Sequence, residues 1–106
     1  MNLTQKKCEP CEGGVGKLPP AEVGKMLADV KGWLVQGDAI EKQWKFKDFR
    51  AAQAFVNQVG ELAEEEGHHP DISFGWGYAK ISLTTHAAKG LTLNDFILAA
   101  KIDAIG

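Results

Sequence analysis

No apolar run in this chain approaches the ~18 residues that a membrane-spanning helix needs. Charge of either sign is not in surplus: 12 Lys and Arg face 14 Asp and Glu, for a formal net charge of −2. There is thus no basic excess to attract a nucleic-acid backbone. Behind the polar start, Met1-Asn2-Leu3-Thr4-Gln5-Lys6-Lys7, no apolar signal-peptide core follows. The expectation is a cytoplasmic protein with neither a membrane nor a nucleic acid as partner. Cysteine is scarce, with only Cys8 and Cys11, spaced C-x-x-C. Four cysteines at suitable spacing would read as a zinc site, but a single pair is weak evidence. Gly13-Gly14-Val15-Gly16 follows the pair, not a helix after a strand, so a thioredoxin-like reading fails on context. There is no internal repeat and no low-complexity tract.

What is present is globular in character. The chain is 44% apolar and 25% charged over 106 residues, both ordinary values. At this length folding buries roughly 60–68% of the unfolded surface, enough for one core. Residues 1–17 read as a loosely ordered arm and residues 18–106 as a single domain.

Pro19-Pro20 suits a first helical turn. Val23, Met26, Leu27 and Val30 repeat at helical spacing and predict a helix that ends at Gly32. Trp33–Gln36 predicts a short strand and Gly37-Asp38 a turn. Ile40, Lys42, Trp44 and Phe46 then alternate with Glu41, Gln43, Lys45 and Lys47, as in a half-buried strand whose polar exception is Lys42. The two strands make an antiparallel hairpin. Asp48 is a good N-cap, and Phe49, Ala52, Phe55, Val56, Val59, Leu62 and Ala63 keep helical period until Gly67 and Pro70 stop it. Ile72, Phe74 and Trp76 predict a third strand, Gly77 a turn or bulge, and Ala79, Ile81 and Leu83 a fourth strand ending near His86. Thr92 with Asp95 three residues on resembles a capping box for a last helix through Phe96, Ala99, Ala100 and Asp103. The order helix, strand, strand, helix, strand, strand, helix is an α+β fold, with one four-stranded antiparallel sheet and three helices on one face. The other sheet face must be polar or covered by a partner.

The three histidines sit where this regular pattern breaks. His68 and His69 follow Glu64-Glu65-Glu66-Gly67 and precede Pro70, and His86 stands at the end of the fourth strand. Histidine gives and takes protons most readily near neutral pH, so the cluster points to proton transfer or to a metal. Glu64 and His68 are four residues apart and share a helix face if the helix continues through Gly67. His69 precedes a proline, which turns the chain out of helical conformation. The partial negative charge of a helix C-terminus favours imidazolium at His68. Three glutamates at that end conflict with the dipole, a kind of conflict found at functional sites. Glu65 and Glu66 also read as plain solubility charges. Taken singly, His86 reads as a surface histidine, Asp95 as a helix cap and Trp76 as core. Cys8, Cys11, His68 and His69 are ligand types that suit zinc, although the cysteines lie on the arm and the motif is partial.

Taken together, these residues resemble the signature of pterin-4a-carbinolamine dehydratases. Glu64-x-x-x-His68-His69-Pro70 is followed by Trp76 six residues after the proline, His86 ten further on and Asp95 nine beyond that. A weaker resemblance extends over about residues 18–105, including Gly32-Trp33 and the helix at 48–66. Trp76 holds a position that tyrosine can also hold, and Pro19-Pro20 replaces a more usual serine or threonine cap.

The resemblance implies a four-stranded antiparallel sheet carrying three helices, in agreement with the order above. It implies a tetrahydropterin substrate hydroxylated on carbon 4a by an aromatic amino-acid hydroxylase, with quinonoid dihydropterin and water as products and no metal or redox cofactor. A ring-nitrogen lone pair expels the hydroxyl, which leaves poorly unless protonated. General acid–base help of this kind is worth ~10²–10⁴-fold. By resemblance, His68 and His86 are the general acids, and His69 binds the pterin beside them. Glu64 orients or charges the first histidine, Trp76 packs at the substrate, and Asp95 supports the site. Also implied are a homodimer or homotetramer, with Trp33, Trp44 and the uncovered sheet face as contact candidates, and a hydroxylase as partner through the shared intermediate. Some relatives serve as dimerisation cofactors for a transcription activator or are linked to molybdenum-cofactor enzymes, so a non-catalytic adaptor is the alternative. The intact histidine set favours the enzyme.

Overall fold

A computed structural model describes residues 3–5 and 16–105 of the chain, so Cys8 and Cys11 lie outside the described residues. Three helices, α1 (Pro20–Leu27), α2 (Phe49–Glu66) and α3 (Leu93–Ile105), alternate with four strands, β1 (Leu34–Gln36), β2 (Ala39–Lys45), β3 (Asp71–Gly75) and β4 (Tyr78–Leu83). The strands form one antiparallel sheet in the order β1-β2-β4-β3. This is the expected α+β architecture with its helix–strand–strand repeat.

Local chemistry sets the element ends. Pro19 precedes α1 in extended conformation. The helix stops at Leu27, short of the expected Gly32, because the ladder tightens: Ala28, Asp29 and Val30 donate to the carbonyls of Lys25, Met26 and Leu27 at 3.3, 2.9 and 3.2 Å. These three-residue bonds wind more narrowly than an α-helix and still bury Val30 in the core. Asp48 caps α2, its Oδ1 accepting the Ala51 N–H at 2.8 Å. Gly67 ends that helix in the left-handed region, φ 65°, where a side chain would be strained.

The core lies between one sheet face and the helices. Ile40, Ala79, Ile81 and Leu83 of the sheet meet Phe55 and Val59 of α2 and Phe96, Leu98 and Ile102 of α3, all buried. Leu3, also buried, packs against α3 from the N-terminal side. Trp33 and Trp44 were candidates for subunit contacts. Instead Trp33 is buried, Trp44 is half-buried, and they meet edge to face at 5.6 Å, with Trp44 continuing to Phe55 at 4.8 Å. They join the sheet to α2, with Trp33 closed off from solvent and Trp44 keeping part of its surface.

The polar exception in β2 has a partner. Lys42 is paired in register with the buried Ile81, and its Nζ reaches Asp103 Oδ1 and the Lys31 carbonyl, both at 2.8 Å. Trp33 Nε1–H also donates to the Asp103 carboxylate, at 3.1 and 3.2 Å. Asp103 therefore holds β2, the segment before β1 and α3 together. On the opposite sheet face Glu41, Gln43, Lys45, Ser73, Lys80 and Ser82 stand at alternate, solvent-facing positions, and the register puts the exposed Leu34 and Tyr78 on the same face, beside Glu41 and Lys45. Exposed apolar side chains do occur, notably Leu34, Val35, Phe49, Trp76 and Tyr78.

Candidate active site

The β3–β4 hairpin explains how residues distant in sequence meet. Asp71 at the start of β3 stands opposite Ser82 near the end of β4. The residues just before β3 therefore lie beside those just after β4. Beyond β4, Thr85 and Gly90 exchange two backbone bonds, 3.1 and 3.3 Å, which close a tight loop. Inside it His86–Ala88 forms a single 3₁₀ turn, and Lys89 takes the left-handed region, φ 57°. Gly67, His68, His69, Thr84, Thr85, His86 and Ala87 together line an open cleft of about 210 Å³. All three histidines thus meet at one end of the hairpin.

His68 is buried, and its Nε2 lies 2.6 Å from Asp95 Oδ1. Asp95 is wholly buried. Its Oδ2 accepts from Thr85 Oγ1–H and from the Thr92 backbone N–H, both at 2.9 Å. Thr85 has only one hydroxyl proton and gives it to Asp95, so at the 2.8 Å contact between the two hydroxyls Thr92 is the donor. An ionised carboxylate only accepts, so His68 Nε2 carries a proton and Nδ1 is the ring nitrogen left to exchange one. A carboxylate in this position fixes the tautomer and stabilises the imidazolium once the ring takes a proton. Asp95 is also half of the expected capping box at α3, so its capping and site-supporting roles coexist. The hydroxyl half of that box is diverted: Thr92 Oγ1 goes to Thr85 and not back to its own helix.

The expected Glu64–His68 pairing is corrected. Gly67 turns the chain through left-handed conformation, so His68 leaves the helical register and swings inward to Asp95. His69, on the surface, pairs through Nε2 with Glu64 Oε2 instead. Glu65 is exposed, as a solubility charge should be, but Glu66 is buried and bonds Lys101 Nζ of α3 at 2.8 Å. His86 is exposed and lines the cleft.

Trp76 is neither core nor cleft within one chain. It sits in the turn at the far end of the hairpin, 73% exposed, roughly 20 Å from the histidines at ~3.3 Å per strand residue. Among the described residues, no three His, Cys, Asp or Glu side chains are grouped so as to hold a metal ion. The sequence reading missed Thr85 and Lys101. Thr85 gave only the weak signal of leaving the β4 alternation just before His86, and Lys101 gave none.

The family model described as pterin 4 alpha carbinolamine dehydratase matches residues 16–105. A protein of Halorhodospira halophila, provisionally named a pterin-4-alpha-carbinolamine dehydratase, is 49% identical and is covered over 99% of its length by 100% of this chain. A protein of Rubrobacter xylanophilus with the same provisional name is 47% identical, with 97% of each chain covered. The crystal structure of a transcriptional coactivator/pterin dehydratase from Brucella melitensis is similar with a TM-score of 0.80 and 35% identity, over 85% of this chain and 98% of that one. A pterin dehydratase-like protein described as a RuBisCO assembly factor in the alpha-carboxysome is similar with a TM-score of 0.57 and 30% identity, over 69% and 84%.

Proposed function

This chain belongs to the pterin-4a-carbinolamine dehydratase family, and on that premise we propose that it dehydrates a 4a-hydroxytetrahydropterin to the quinonoid dihydropterin, using histidine acid–base catalysis in support of tetrahydropterin recycling. The observation that carries this reading is the meeting of His68, supported by Asp95, with His86 across one open cleft. Dehydration removes a hydroxyl from carbon 4a and a proton from a ring nitrogen. One group must protonate the departing hydroxyl and another must accept the nitrogen's proton. Two imidazoles on one cleft can do both, and each is of the type whose protonation changes most easily near neutral pH. His68 exchanges its proton through Nδ1 while Asp95 holds Nε2–H. His86 works from the exposed side.

His69, tied to Glu64 outside the buried network, holds the substrate and does not transfer its proton. His69→Ala is therefore expected to raise KM about two- to tenfold, the loss of one hydrogen bond, with kcat within about threefold of the parent. Steady-state kinetics on carbinolamine generated in situ by a hydroxylase checks this. A fall in kcat as large as that of His68→Ala would contradict the assignment. The same assay tests the function itself: the protein should consume the carbinolamine faster than it decays alone.

The second reading is an adaptor, favoured by relatives described as a coactivator and as an assembly factor. Binding another protein gives no reason to bury an Asp–His pair with two threonine hydroxyls behind it, so the enzyme is preferred. Assembly into a homodimer or homotetramer belongs to this proposal, with Leu34, Val35 and Tyr78 the exposed apolar contacts on or beside the sheet.

A further inference from the structure

We infer that Thr85 is the positioning residue that sets where His68 stands relative to His86. The kinetic side of this inference rests on the dehydratase reading. Its structural side does not.

The two histidines come from separate segments. His86 follows β4, whereas His68 follows α2 and is held by Asp95 of α3. Thr85 belongs to both halves. Its backbone anchors the loop that carries His86: its N–H donates to the Gly90 carbonyl at 3.1 Å, and its own carbonyl accepts from the Ala88 and Gly90 N–H groups at 3.1 and 3.3 Å. Its hydroxyl donates to Asp95 Oδ2 at 2.9 Å, while the other carboxylate oxygen, Oδ1, holds His68. Thr85 is 1% exposed, so this bond is shielded from water.

A carboxylate needs such support. The last torsion of an aspartate is soft, and burial alone does not fix its plane. The Thr92 N–H also donates to Oδ2, but from the start of α3 itself. The Thr85 hydroxyl instead refers the plane of Asp95 to the strand end that carries His86. The Thr92 hydroxyl, 2.8 Å away, donates to Thr85 Oγ1 and holds that oxygen in place. Valine keeps the shape of threonine without the hydroxyl, so Thr85→Val removes the reference and leaves the packing. Asp95 is then free to turn about its last torsion, and His68 turns with it.

Positioning and stability separate in two variants. Thr85→Val also strands the buried Thr92 hydroxyl, and an unsatisfied buried donor costs stability. Adding Thr92→Val removes that donor, and apolar replacement of both partners is nearly neutral. The α3 cap survives, because the Asp95 carboxylate and not the Thr92 hydroxyl makes it. Neither change returns a hydroxyl to Asp95. The readouts are kcat, KM, the thermal midpoint and the ¹⁵N-edited imidazole N–H resonance of His68, which reports its bond to Asp95. Thr85→Val is expected to lower kcat about tenfold with KM within about twofold, the low end for losing a hydrogen bond to a charged group. Its His68 resonance should broaden into solvent exchange at a temperature where the protein is folded. The variant combining Thr85→Val with Thr92→Val should melt closer to the parent, yet keep the low kcat and the broadened resonance. Thr85→Ser, which retains the hydroxyl, should keep the resonance and hold kcat within about threefold of the parent.

A folded Thr85→Val protein with unchanged kcat and an intact resonance would overturn the inference. So would a kcat that recovers with stability in the combined variant, or a serine variant as impaired as the valine one. If Thr85→Val does not accumulate in folded form, the combined variant, which leaves no stranded donor, is compared directly with Thr85→Ser, with the same outcomes. Should the parent protein itself show no dehydration, the function proposed above fails while the resonance still decides the positioning role.

Discussion

Asp95→Asn is expected to lower kcat for carbinolamine dehydration by about 10²–10⁴-fold, the range for losing one positioned acid–base group, in a protein that still folds. Asp95 accepts three hydrogen bonds, from His68 Nε2, Thr85 Oγ1 and the Thr92 N–H. Asparagine can serve two of these donors with its carbonyl oxygen, facing Thr85 and Thr92. Its amide NH₂ then faces His68 Nε2 and donates to it. The imidazole proton must move to Nδ1, the atom that should exchange protons with substrate, and no carboxylate remains to stabilise the imidazolium. The α3 cap survives, so a thermal melt should change little. By contrast, Asp95→Ala would strand Thr85, Thr92 and His68 together, at about 1–3 kcal/mol for each unsatisfied buried group, and would confound stability with catalysis. Stopped-flow rates for the asparagine variant decide the point. A loss under about fivefold would mean that Asp95 only caps the helix.

Asp103→Ala is expected to lower stability by about 2–3 kcal/mol, with little change in kcat. The carboxylate serves Lys42 Nζ and Trp33 Nε1–H at once, and hydrogen bonds to charged groups are worth about 1.5–3 kcal/mol. Its loss leaves a cation and an indole N–H at the junction of β1, β2 and α3. That is a substantial share of the 5–15 kcal/mol of a typical domain. Asp103 lies eight residues beyond Asp95, about 12 Å along the helix at 1.5 Å per residue, so the cleft should keep its geometry. Urea unfolding should show a midpoint lowered by about 1–2 M at the usual slopes. A shift worth less than about 0.5 kcal/mol would show that Lys42 and Trp33 find water or other partners equally well.

The contrast between Asp103 and Asp95 shows where sequence reading reached its limit. Strand alternation marked Lys42 as anomalous, but nothing local linked it to a carboxylate sixty-one residues away. Periodicity placed α2, its Asp48 cap and the Gly67 stop, because those depend on neighbours in the chain. It read the stop correctly, yet paired Glu64 with His68 on the condition that the helix continued through it. The left-handed glycine instead re-aimed His68 at α3. Glu66 looked like surface charge because its partner, Lys101, is brought to it only by the packing of α2 on α3. The spacing of His68, His69, His86 and Asp95 identified a family pattern, and the hairpin register supplies its physical reason. Trp76 shares that spacing but not the location, since the same hairpin carries it to the opposite end. Thr85 was invisible as a site residue because a buried threonine at a strand end is ordinary until its hydroxyl is traced to Asp95.

The central claim is that His68 and His86 carry the proton transfers from one cleft. The most direct test is the dehydration rate of the variant that combines His68→Ala and His86→Ala, compared with each single change and with the parent, at equal concentrations of folded protein. Each single change is expected to reduce the rate at least about tenfold, within the reach of general acid–base catalysis, and the combined variant should fall to nearly the uncatalysed rate. A folded double variant that dehydrates the carbinolamine as fast as the parent would contradict the account.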